Sequence, residues 1–299
     1  MAANVPVAAA CGQYKVPFDQ AEGGAGGADP GEPGGAGAGA GMGEAGATAQ
    51  GGAGGVVDGP TITIRFRAHT DPFAHDDGLN GQTPISHSSG VRKLQLFKDP
   101  SDPNPITVFD FGSTFVEIGY DDGDDTSVYT LPAKSLPTGM YTMARVVHSH
   151  VRYRVSSTMH TNGLSLPGEF DNMQVLSDGT LLDGQVRNHG YYEYVFLTGG
   201  QQFPTSGNNA PLPQGWNTGG FSVGVESGEW AYSFPVDLAL TPDLAADLDV
   251  VLEVNMFESF RWQDQDQPGY APGVFDTNPI VSEPVVHFGA NSYWLTLEP

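Results

Sequence analysis

From Thr61 the chain alternates with a period of two. In Thr61-Ile-Thr-Ile-Arg-Phe-Arg-Ala68, Ile62, Ile64, Phe66 and Ala68 fall on one side and Thr61, Thr63, Arg65 and Arg67 on the other. Successive side chains of an extended backbone point to opposite faces, so this segment reads as a half-buried strand. Comparable segments recur near 91–98, 106–111, 114–120, 126–131, 140–155, 173–176, 181–187, 191–197, 221–225, 229–238, 248–257 and 285–297. Turn chemistry separates them: Asp122-Gly123 and Ser177-Asp178-Gly179-Thr180 are hairpin signals, and prolines crowd Asp99–Pro105. Only Thr241-Pro-Asp-Leu-Ala-Ala-Asp247 has helix chemistry, with Thr241 as the cap and Pro242 at the first helical position. A dozen short strands can bury their apolar faces only by packing sheet on sheet. The expected fold class is therefore all-β, an antiparallel β-sandwich.

Glycine is concentrated outside this region. Residues 1–60 hold 18 of the 41 glycines, and of the 35 residues between Gln20 and Val56, 16 are Gly and 10 are Ala. Such a stretch cannot bury enough apolar surface to offset its ordering entropy, so 12–59 is expected to be a disordered tether, with a span of roughly 30–35 Å for 35 residues. Gly41-Met-Gly-Glu-Ala-Gly46 matches GxGxxG, but no strand precedes it and no periodic helix follows, so it is not read as a dinucleotide site. Three segments follow: 1–11, the tether 12–59 and a body 60–299. The body carries 29 acids and 11 bases within a net charge of −23, which excludes the clustered cations that nucleic acid needs. No run of 18 apolar residues marks a transmembrane helix.

The single cysteine, Cys11, has no partner for an internal disulfide. Its setting, Val7-Ala-Ala-Ala-Cys11-Gly12, resembles the lipobox of bacterial lipoproteins, and the Gly/Ala array after it resembles tethers of the myxobacterial type. The resemblance implies that 1–11 is the remnant of a signal peptide and that lipid is attached at Cys11. It also implies a membrane partner and an extracytoplasmic place at the outer membrane or cell surface. Two features depart from it: Ala8 stands where Leu is commonest, and no Lys or Arg lies among the ten residues before Cys11. Within the body, Leu136-Pro-Thr-Gly-Met-Tyr141 resembles a strand start of transthyretin-like and immunoglobulin-like sandwich modules, which implies that fold and no activity.

Several constellations carry chemistry. In Val146-Val-His-Ser-His-Val-Arg-Tyr-Arg-Val155 strict alternation puts His148, His150, Arg152 and Arg154 on one face. Two imidazoles roughly 6.6 Å apart along a strand suit two ligands of one copper or zinc ion. A third ligand would come from His160 or His189, or from His69 or His75. The competing reading is a polar face whose arginines pair with acids. Asp121, Asp122, Asp124 and Asp125 crowd four carboxylates into five residues, and Asp264 and Asp266 sit in the long loop 262–284, so calcium is the ion these loops would take. Hairpin tips use the same residues without a cation. Gly220-Phe-Ser222-Val-Gly224 matches GxSxG but lacks the strand–turn–helix setting of a nucleophile elbow. Dense aromatics at Tyr191–Phe196 and Phe257–Trp262, with Trp216, suit either a core or a glycan surface. The sequence therefore favours a lipid-anchored binding or structural module, calcium-stabilised, with a glycan or another surface protein as partner. The alternatives are a periplasmic copper or zinc protein built on the His-x-His strand, and a secreted hydrolase of polysaccharide or ester, for which no catalytic residue can be assigned.

Overall fold

The computed structural model describes residues 59–213, 216–218 (backbone only), 221–226, 228–241, 244–278 and 282–299. Cys11 and the tether lie outside the described residues, as do Gly220, Pro242 and Asp243. The strands are β1 (Thr61–His69), β2 (Asn80–Gln82), β3 (Ser86–Phe97), β4 (Ile106–Asp110), β5 (Val116–Gly119), β6 (Asp125–Pro132), β7 (Gly139–Thr161), β8 (Leu164–Val175), β9 (Thr180–Leu182) and β10 (Gln185–Arg187). They continue with β11 (Tyr192–Thr198), β12 (Gln201–Gly207), β13 (Trp216–Thr218), β14 (Phe221–Glu226), β15 (Glu229–Leu240), β16 (Leu248–Asn255), β17 (Phe260–Trp262), β18 (Asp276–Thr277), β19 (Val285–His287) and β20 (Ser292–Glu298). Among the described residues the one helical element is a 3-10 turn at Ala133–Ser135; 244–247 are not helical, and Asp247 instead accepts from the backbone N and Oγ1 of Thr61.

The fold is an all-β sandwich. A four-stranded sheet, β20-β16-β1-β6, packs on an eleven-stranded sheet whose spine runs β12-β11-β8-β7-β15-β14-β13, with β3 on β7 and β4 and β5 on β3. Two pairs depart from the antiparallel pattern: β1 with β16, and β18 with β7. One contiguous core joins the sheets, from Ile62, Ile64 and Phe66 of β1 to Val146 and Tyr153 of β7 and Tyr293 of β20. The alternation read in β1 holds throughout. Its outward Arg65 and Arg67 bridge both neighbouring strands, reaching Asp125 on β6, Asp249 and Glu253 on β16, and Glu298 on β20. Tyr141 opens the inward face of β7 and donates its hydroxyl to Pro137 O at 2.7 Å.

Two-residue turns with positive φ at both positions close three hairpins: Asn162-Gly163 (β7–β8), Asp183-Gly184 (β9–β10) and Gly199-Gly200 (β11–β12). These are the turns whose twist matches that of paired strands. The β7–β8 hairpin is much longer than the sequence suggested. Pro167 and Gly168 obscured the first half of β8, and Pro204 obscured β12, an edge strand where a missing N–H is tolerated.

Candidate functional site

Strict alternation fails at the centre of β7, and this separates the two histidines of the His-x-His motif. Pairing with β3 passes from Ser89↔Val151 to Val91↔His148, three residues on β7 against two on β3, and then to Lys93↔Val147, one against two, so the ladder is irregular on both sides of His148. This bulge changes the inward set from even positions (Ala144, Val146, His148) to odd ones (Val151, Tyr153, Val155). His148 faces the core and His150 the outer side of the sheet. The shared face expected from sequence is not formed, because the irregular pairing around Val91↔His148 reverses the parity. His150 packs edge-on to Phe115 at 4.5 Å, contacts Ser149 Oγ through Nδ1 at 3.0 Å and lies 3.0 Å from Glu117 Oε2 through Nε2. Gly90 makes room for it, since a Cβ there would stand 2.7 Å from the imidazole.

His148 belongs to a closed ring of hydrogen bonds inside the core. Its Nδ1 meets Ser89 Oγ at 2.9 Å, Ser89 Oγ meets Tyr120 OH at 3.0 Å, Tyr120 OH meets Tyr293 OH at 3.1 Å, and Tyr293 OH returns to His148 Nε2 at 3.3 Å. Burial pushes His148 down to about 3, helped by neighbouring His87 and His150. His87, against the Tyr120 ring, is likewise held at about 3 by burial and by His287. Both imidazoles are neutral, and Tyr120 and Tyr232 are held as phenols by the same burial.

The other residues singled out in the sequence are engaged separately. His189 Nδ1 contacts Asp178 Oδ1 at 2.6 Å on the surface. Asp121 Oδ1 accepts from His87 N, Asp122 Oδ1 from Thr70 N and Oγ1, and Asp124 Oδ2 from Asp121 N, while Asp125 pairs with Arg65 and Arg67. Asp264 accepts from Trp262 Nε1 and Gly273 N and so shapes its loop; Asp266 is exposed. Ser222 lies on β14 and donates to Glu226. Among the described residues, no group of three or more His, Cys, Asp or Glu side chains is arranged to hold a metal ion.

What the sequence missed lies at the free end of the β7–β8 hairpin. On the inward face a narrow cleft is lined by Met159, Phe170, Tyr194, Phe196, Phe203, Thr205, Thr277, Asn278 and Ser282, with no charged side chain. Register places Ser157, Asn172, Gln174 and Thr277 on this same face of β7, β8 and β18. All four are buried, yet Ser157 Oγ, both amide atoms of Asn172, Gln174 Oε1 and Thr277 Oγ1 have no hydrogen-bond partner among the described residues. Buried polar atoms are ordinarily paired, and leaving one unpaired costs about 1–3 kcal/mol. The polar positions Asn172 and Gln174 alternating after Phe170 were the available sequence signal.

On the outer face of the same hairpin, His160 Nε2 contacts Asp276 Oδ1 at 2.7 Å and its Nδ1 contacts Ser165 Oγ at 3.0 Å. Asp276 is almost wholly buried; its Oδ2 accepts from Ala271 N. Asp276 N in turn donates to the buried Glu283, which burial and the charges of Asp264 and Asp276 raise to about 7 against the opposing backbone hydrogen bonds.

Comparisons with protein-family models, with curated proteins and with solved structures found no match for this chain.

Proposed function

We propose that the chain is an extracytoplasmic, lipid-anchored binding module whose ligand is a neutral sugar held against the aromatic side chains of β8, β11 and β12 beside Thr277, Asn278 and Ser282. The observation that carries this reading is the pairing of aromatic faces with unsatisfied polar atoms. Phe203 is exposed and Phe170 half-buried over the buried rings of Tyr194 and Phe196, and the buried Thr277 Oγ1 beside them has no partner among the described residues. Sugars present that combination, apolar C–H faces ringed by hydroxyls that donate and accept. The uncharged lining and the net charge of −23 select against anionic glycans. Copper, zinc and calcium are left out of this reading because the imidazoles and carboxylates singled out for them are dispersed or already accept protein donors.

Calorimetric titration with neutral oligosaccharides tests it. Phe203 is 41% exposed, so Phe203→Ala removes a pocket wall without opening the core. Losing one aromatic contact worth about 0.5–1.5 kcal/mol weakens binding up to about tenfold. Absence of heat with every sugar, or equal affinity in wild type and Phe203→Ala, would overturn the reading.

A further inference from the structure

The outer face of the β7–β8 hairpin carries a second arrangement, independent of the pocket. Asn162-Gly163 makes a two-residue turn, with φ of 51° and 75°, and this sets His160 directly opposite Ser165 in the ladder. The pairing is therefore fixed by backbone hydrogen bonds and not by a mobile loop. Ser165 is exposed, His160 is half-buried and Asp276 is buried, so the three run inward from solvent as hydroxyl, imidazole and carboxylate. The contacts, 3.0 Å and 2.7 Å, are those through which a base takes a hydroxyl proton while a fixed carboxylate orients and charge-balances it. The Tyr270 ring packs on the imidazole at 4.8 Å and holds its plane. Gly269, with φ of +93°, stands beside Nδ1; a Cβ there would lie 3.4 Å away, so the space next to the reacting nitrogen is kept open.

We propose that Ser165, His160 and Asp276 form a hydrolytic relay acting on carboxylic esters. Ser165 Oγ attacks the ester carbonyl carbon as its proton passes to His160 Nδ1, with Asp276 Oδ1 accepting the hydrogen bond from the Nε2–H of the imidazolium. The C–O bond to the alcohol breaks, and the proton on Nδ1 leaves with that alcohol. Water then attacks the Ser165 ester through the same base, releasing the acid and restoring the hydroxyl. No metal, oxidant or second substrate is needed. The order of nitrogens, serine on Nδ1 and carboxylate on Nε2, leaves the proton path intact because either imidazole nitrogen serves as base.

A fluorophosphonate probe and p-nitrophenyl acetate test this on the full chain, with a known serine hydrolase as positive control. The expected results are covalent labelling that maps to the peptide containing Ser165, no labelling there in Ser165→Ala, and acylation at least about a hundredfold slower in His160→Gln. Ser165 is exposed, so Ser165→Ala keeps its fold, checked by an unchanged thermal midpoint. Absence of labelling at Ser165 beside a labelled control, or a wild-type acylation rate in His160→Gln, would overturn the relay. Because Phe203→Ala spares all three residues, failure of the sugar site and failure of the relay are read separately.

Discussion

Protonating His87 or His148 would put a positive charge inside the interface between the two sheets. His148 is ringed there by Ser89, Tyr120 and Tyr293 hydroxyls, and the nearest carboxylate acting on His87 is Glu117. Both histidines are held at about 3 when folded, below the ordinary 6.5, so the unfolded chain binds protons first. Their stabilising contribution is complete above pH 6.5 and is lost as pH falls toward 3. Between pH 6.5 and 5 the loss is about 2 kcal/mol per histidine. His287, lowered by burial to about 4, adds to this dependence, and Glu283, raised to about 7, opposes it. Denaturant unfolding should show that His148→Gln is less destabilised than wild type between pH 6.5 and 5 by about 2 kcal/mol, and an equal pH dependence in the two proteins would contradict neutral burial of His148. Tyr293→Phe should cost about 1–3 kcal/mol by leaving His148 Nε2 and Tyr120 OH short of a partner, measurable by thermal unfolding. At this scale the sequence was legible where alternation is unbroken, as from Ile62 to Ala68. It misled at His148 and His150 because a bulge leaves no mark in composition: Ser149 could occupy a straight strand equally well.

Elements were recognised by their apolar period and lost where proline or glycine interrupted it. The first half of β8 is such a case. Gly168 faces β11 so closely that a Cβ would stand 2.2 Å from Leu197 O. Gly168→Val should therefore separate β8 from β11, lower the thermal midpoint and weaken sugar binding, since Phe170, Tyr194 and Phe196 ride on these strands; unchanged stability would contradict the register. The relay was legible in part. Asn162-Gly163 is a strong hairpin signal, and counting outward from it pairs His160 with Ser165. Asp276 was not, because β18 is two residues long and joins β7 in parallel from a loop without any period.

For the whole molecule, the acidic body and its few arginines form a sandwich whose small sheet is knitted on its outer side by Arg65 and Arg67. These are part-exposed pairs, so Arg65→Ala should cost no more than about 1 kcal/mol, less in high salt. The anchor proposed at Cys11 predicts that Cys11→Ser shifts the protein from the membrane to the soluble fraction of a lipoprotein-processing bacterium; a wild-type protein already soluble there would end that part of the account. The sandwich class was readable from some dozen short alternating segments. Its binding end was not, because only long-range pairing brings Thr277 beside Met159, and Pro204 hid the strand that sets Phe203 beside Phe196. The most direct test of the central claim is an amide chemical-shift map recorded during titration with the tightest-binding neutral oligosaccharide. Shifts confined to Phe203, Thr205, Thr277 and Asn278 and their strand neighbours are predicted. Shifts centred on another surface, or none at saturating sugar, would contradict it.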